Sequence, residues 1–112
     1  MTDHIFVLTT VASDDDGRKI ADELVGGRLA ACVSVTSPVH STYRWKGEIH
    51  RQEERVLLIK TLGKNFERVR DCISEVHPYD VPEIIAIDVT AGETNYLNWL
   101  TAQSTRATST SE

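Results

Sequence analysis

The sequence has little that a nucleic-acid or membrane partner would use. No run of Lys or Arg exceeds two residues, and the net charge is −5. Phosphate neutralisation needs a basic face, so nucleic acid is not expected as a main partner. Long apolar runs are missing as well. The opening MTDHIFVLTTV has no basic start, and its apolar run breaks after four residues. Neither a signal peptide nor a membrane span is predicted. Cysteine is scarce: Cys32 and Cys72 stand 40 residues apart, outside any CxxC zinc spacing. Both thiols are expected to be free, in a reducing, cytoplasmic setting. There is no internal repeat in the ordinary sense, and 112 residues are the length of one domain.

The elements can be read from periodicity and punctuation. Ile5 to Val11 is aliphatic and β-branched, a buried strand. Ser13 caps a helix whose first turn holds Asp14, Asp15 and Asp16, matched to the helix dipole. Ile20, Leu24 and Val25 carry the helical period until Gly26 and Gly27 finish it. Val33, Val35, Val39, Tyr43 and Trp45 then share one parity across Pro38, which predicts an edge strand or a bulge. Lys46–Gly47 is a tight hairpin turn, and the return strand runs from about Glu48 to Leu62. Gly63 opens a second helix with Phe66, Val69, Ile73 and Val76 on its apolar stripe. Ile84 to Val89 is expected to be the last core strand. GETNYLNWLTAQ is a short amphipathic helix. The order βαββαβ plus a helix is α+β and ferredoxin-like, with a long hairpin between the second and third strands. Residues 1–103 are taken as the single domain and 104–112 as a flexible polar tail.

The stretch EVHPYDVPEIIAIDV crowds proton-carrying side chains in front of a strand. His77 is either a turn residue capping a backbone carbonyl or a metal ligand, since neutral imidazole suits copper and zinc. Tyr79 and Glu83 either pack over the turn and face solvent, or point into a cleft between subunits and meet Lys60. An ammonium closing the buried VLLIK run wants a partner. Cys32 is a small buried hydrophobe, a thiolate ligand or a nucleophile; no base is placed beside it by the sequence, and an enzyme is not expected. His40 and His50 could face each other across the hairpin as an adventitious metal site. The contiguous acids of 14–16 lack the interleaved ligands of a cation loop and would repel the anion that a phosphatase of this fold binds there. The central strands lack the exposed aromatics of the RNA-binding version of the fold.

The hairpin itself points to assembly. Arms of about 15 residues reach ~50 Å, against a radius of gyration of ~13 Å for a typical domain of this size. Its tip, with Tyr43, Trp45 and Ile49, would project and is expected to be buried by neighbouring subunits in a closed ring.

AACV, YRWKGEI, LLIKT, HPYDVPEIIAI and YLNWL occur in the order and spacing of the CutA family, the divalent-cation tolerance proteins, which the chain resembles over about residues 4–100. The resemblance implies a ferredoxin-like subunit and a tight homotrimer similar to PII signalling proteins. It implies divalent-cation binding, Cu(II) above all. Thr9 and Val76 stand where some copper-linked members carry a Cys and the first His of a pair. His77 and Cys32 are then the candidate metal ligands, Lys60, Tyr79 and Glu83 the candidate cleft residues, and Tyr43, Trp45 and Ile49 the trimer interface. The alternative is a PII-like signalling or scaffold protein that binds a small molecule or a protein in the inter-subunit cleft.

Overall fold

The structure is a computed structural model that describes residues 3–106. Strand β1 (His4–Val11) alternates strictly, with Ile5, Val7, Thr9 and Val11 buried on one side. Helix α1 (Asp14–Gly26) starts where Ser13 Oγ accepts from the Asp16 N–H at 3.1 Å. It buries Ile20 and Leu24 against that side of β1. Strands β2 (Cys32–Val35) and β3 (Val39–Trp45) are one edge strand broken around Pro38, as its missing N–H requires. Both pair with β4 (Glu48–Leu62), at 15 residues the longest strand. A short 3₁₀ turn at Gly63–Asn65 leads into α2 (Phe66–Val76), which buries Val69 and Ile73. Strand β5 (Ile85–Asp88) and helix α3 (Thr94–Gln103) complete the chain.

The sheet order is β2-β4-β1-β5, with every pairing antiparallel. With β2 and β3 counted as one strand, this is the ferredoxin-like split βαβ. Helices α1 and α2 cover one face of the sheet, and the core lies between. At ~3.3 Å per residue β4 spans about 50 Å, and it sets the long axis of a molecule of 52 × 29 × 23 Å. At its turn Lys46 and Gly47 have φ of 52° and 80°, the paired positive angles of a turn that matches strand twist.

Two expectations need correction. Ile84–Val89 was expected to be a core strand at an edge or an interface. Strand β5 is at the sheet edge, paired with β1 among the described residues, but it is not core: Ile85 and Ile87 are about half exposed. Helix α1 does finish at Gly26, with Gly27 as its C-cap, and the left-handed residue that follows is Arg28 (φ 59°), with its N–H on the Val25 carbonyl and the Leu29 N–H on the Leu24 carbonyl. Its guanidinium holds the position by donating to the carbonyls of Ala102 (3.0 Å) and Thr105 (3.1 Å), at the end of α3. Finally, Ser104 and Thr105 were placed in the polar tail. Ser104 is buried, and its carbonyl accepts from Asn65 Nδ2 at 2.7 Å. The body therefore extends beyond residue 103. The rest of that tail, 107–112, lies outside the described residues.

Candidate functional site

Pro78 forces the residue before it out of helical geometry, so α2 ends at His77, whose backbone is extended (φ −74°, ψ 130°). The imidazole turns inward and is buried. Its Nδ1 accepts from the Tyr79 N–H at 3.2 Å, which leaves the proton on Nε2, and Nε2 donates to the Thr10 carbonyl at 2.6 Å. The ring meets Tyr79 edge-on at 4.5 Å between centroids. Both nitrogens of His77 are thus engaged inside the chain, as a turn-capping histidine requires.

Tyr79 is carried by this turn toward β4. Its hydroxyl donates to Glu54 Oε2 at 3.0 Å and accepts from Gln52 Nε2 at 2.7 Å. Gln52 Oε1 in turn accepts from the Tyr43 hydroxyl at 2.6 Å. The donors therefore run in one direction, Tyr43 to Gln52 to Tyr79 to Glu54. Burial, and then the acceptor and charge of Glu54, push the Tyr79 phenol up to about 12. These groups floor an open cleft of about 590 Å³ between the hairpin and the 79–83 segment, with Trp45, Asp80 and Glu83 on its walls.

Lys60 and Cys32 lie elsewhere. They face each other across the β2–β4 ladder, with Lys60 Nζ 3.9 Å from Cys32 Sγ and 3.3 Å from Ser34 Oγ. The ammonium also sits 5.9 Å from the centroid of the Phe6 ring. His77 anchors at Thr10, which pairs with Val56, four positions from Lys60, or about 13 Å along the strand. Within one chain, His77, Tyr79 and Glu83 are therefore in one place and Lys60 and Cys32 in another. No ion pair joins Lys60 to Glu83 among the described residues. Nor do His40 and His50 face each other: His40 is opposite Glu53, and His50 is opposite Tyr43, on which it stacks at 5.7 Å. Tyr43, Trp45 and Ile49 are all exposed at the hairpin tip of the single chain. Tyr43 and Trp45 share the cleft face, and Ile49 is on the other.

Sequence reasoning missed Glu54 and Gln52. Their signal was present. Both sit at the strand period that places Val56, Leu58 and Lys60 on one face, so two polar side chains continue a partly apolar row. Thr9 points to the helix side of the sheet. It is fully buried, and its hydroxyl has no partner among the described residues. The described residues of one chain contain no group of three or more His, Cys, Asp or Glu arranged to hold a metal. The donor set within a single chain therefore does not fit a closed copper site.

The model of one protein family, the CutA1 divalent ion tolerance proteins, matches residues 5–103. The divalent-cation tolerance protein CutA of Thermus thermophilus is 44% identical over 94 residues, 84% of this chain and 91% of that protein. The chloroplastic protein CutA of Arabidopsis thaliana is 39% identical over 96 residues, and this chain spans only 53% of its length. Among solved structures, the Thermus thermophilus divalent cation tolerance protein superposes with a TM-score of 0.89 at 40% identity, covering 91% of this chain and 99% of that one. CutA from Xylella fastidiosa superposes with a TM-score of 0.90 at 35% identity, covering 93% and 100%.

Proposed function

The chain belongs to the CutA1 divalent ion tolerance family, and on that premise we propose that it acts as a homotrimer that binds a divalent cation, copper first among the candidates. The observation that carries the assembly is the sheet face away from α1 and α2. Phe6, Leu8, Leu58, Ile85 and Ile87 share that face by register, and Ile85 and Ile87 are 47% and 50% exposed. A contiguous apolar face of this kind marks an interaction surface, and the exposed Tyr43 and Trp45 at the tip add to it.

The metal reading rests on donors shared between chains, since the described residues of one chain hold no closed site. Cys32 is a free thiol on the same sheet face, and thiolate suits copper. His77 would have to give up one of its two internal hydrogen bonds to become a ligand. We therefore assign the first metal contact to Cys32, with the remaining donors supplied by other chains of the assembly. The role in this reading is binding rather than catalysis, and two free thiols are compatible with a reducing compartment such as the cytoplasm. No helix among the described residues is long and apolar enough to cross a membrane.

Native mass spectrometry with and without Cu(II) tests both parts. The expected species is about three times 12.5 kDa, with bound copper that is lost on Cys32→Ser. A monomer at micromolar concentration removes the assembly reading. Copper stoichiometry unchanged by Cys32→Ser removes the site.

A second reading has its own observation. The cleft under the hairpin is large enough for a small molecule, as a PII-like sensor or scaffold would need.

A further inference from the structure

The cleft has an electrostatic imbalance. Glu54 is only 7% exposed, and a buried carboxylate ordinarily has a cationic partner. Among the described residues no Lys, Arg or His makes an ion pair with it. No basic side chain lines the cleft, whereas Asp80 and Glu83 add further acid at its rim. Strand alternation sends Arg51 and Arg55 to the opposite face of β4, where Arg55 lies 4.0 Å from Asp14.

The hydrogen-bond chain does not supply the missing charge. Tyr43, Gln52 and Tyr79 donate in series and end on Glu54 Oε2. Every donor is neutral, and the series leaves Oε1 without a hydrogen bond among the described residues. A phenol holds one oxygen in place, and Glu54 lines a cleft walled by Tyr43, Trp45 and Tyr79. Aromatic faces around a buried acid form the environment that desolvates and holds an organic cation. They do not suit a hard divalent ion, which needs several oxygen ligands converging on one point, and no such cluster exists among the described residues.

We propose that this cleft binds a primary ammonium or guanidinium group from outside the chain, paired with Glu54 and stacked against Tyr43, Trp45 and Tyr79. This deepens the ligand-cleft reading above and is independent of copper at Cys32. The group has two sources of the same chemistry: a free amine, or a Lys or Arg side chain of a second copy.

Full-length protein carrying Trp99→Phe, so that Trp45 is its only indole, is titrated with agmatine, which has both cationic groups. Butanol serves as the uncharged control. Sedimentation records the assembly state across protein concentration. A free-amine site gives a saturable change in Trp45 fluorescence with agmatine and none with butanol, weakened about tenfold or more by Glu54→Gln through loss of a charge-assisted bond. A site filled by a second copy gives no agmatine response in the assembled protein, but Glu54→Gln shifts self-association by a similar factor. The proposal is overturned if agmatine leaves Trp45 unchanged and Glu54→Gln assembles like the wild type. Should Glu54→Gln fail to fold by circular dichroism, the exposed rim pair Asp80→Asn and Glu83→Gln is used together. Weaker agmatine binding or weaker self-association in that variant sustains the proposal, and no change in either overturns it. Copper stoichiometry, measured on the same variants at concentrations where sedimentation shows them assembled, stays at the wild-type value, so failure here is distinct from failure of the metal site.

Discussion

The Tyr79 hydroxyl donates to Glu54 Oε2 across 3.0 Å, and by that bond the HPY turn is tied to the middle of the longest strand. The two residues are 25 positions apart in sequence, so neither local propensity nor motif spacing brings them together. The bond orients Glu54, orders the turn after α2 and gives the cleft its floor.

Tyr79 should ionise late. Of the three tyrosines, one is expected to titrate near 12 in an alkaline absorbance titration, and that step should vanish in Tyr79→Phe. The folded state holds the neutral phenol, so its folded pKa lies above the unfolded value of 10.0. The stabilisation is fully present below pH 10 and is lost as pH rises through about 12. Urea midpoints measured across that window should fall more steeply in the wild type than in Tyr79→Phe. Parallel curves would mean that the hydroxyl is not held as described.

Thr9→Val should stabilise the protein. The Thr9 hydroxyl is fully buried and has no partner among the described residues, and Val keeps its shape without the polar atom. A gain of about 1 kcal/mol is expected from removing an unsatisfied buried hydroxyl. Denaturant unfolding at unchanged slope reads it. A loss of stability would show that the hydroxyl is satisfied in solution.

Truncation after Gln103 should destabilise the fold. Asn65 Nδ2 loses the Ser104 carbonyl, and the Arg28 guanidinium loses the Thr105 carbonyl. Asn65 is buried and keeps only its longer bonds to the Leu29 carbonyl and Thr61 Oγ1 at 3.4 and 3.3 Å, so losing the short one costs about 1 kcal/mol. Truncation after Arg106 keeps both acceptors and is the comparison. Equal melting temperatures for the two truncations would contradict the docking of Ser104.

Ile87→Asp should weaken self-association. The residue is half exposed in the single chain and shares a face with Phe6, its partner in the β1–β5 ladder. A charge buried there without a partner costs several kcal/mol per interface. Sedimentation should show dissociation at concentrations where the wild type holds together, with the circular dichroism of the chain retained. An unchanged mass would mean that the face stays in water.

Much of this protein is determined by the sequence alone, because short-range geometry decides it. The alternation from Ile5 to Val11, the Ser13 cap with its acids, the Lys46–Gly47 turn and the break at Pro38 each follow from a few neighbouring residues. The βαββαβ order follows from them. What the tertiary structure decided is non-local. An aliphatic run such as Ile84–Val89 reads the same whether it is central or at an edge, and only sheet order made it an edge with Ile85 and Ile87 half exposed. Lys60 and Glu83 look like an ion pair in sequence, but register placed Lys60 beside Cys32. The glycines end α1 as read, but the left-handed residue after them is Arg28, held by contacts to the end of α3 that no local signal shows. The pairing of Glu54 with Tyr79 has the same origin. Strand register and the packing of a turn against it are collective outcomes of the whole sheet, and no single stretch of sequence carries them.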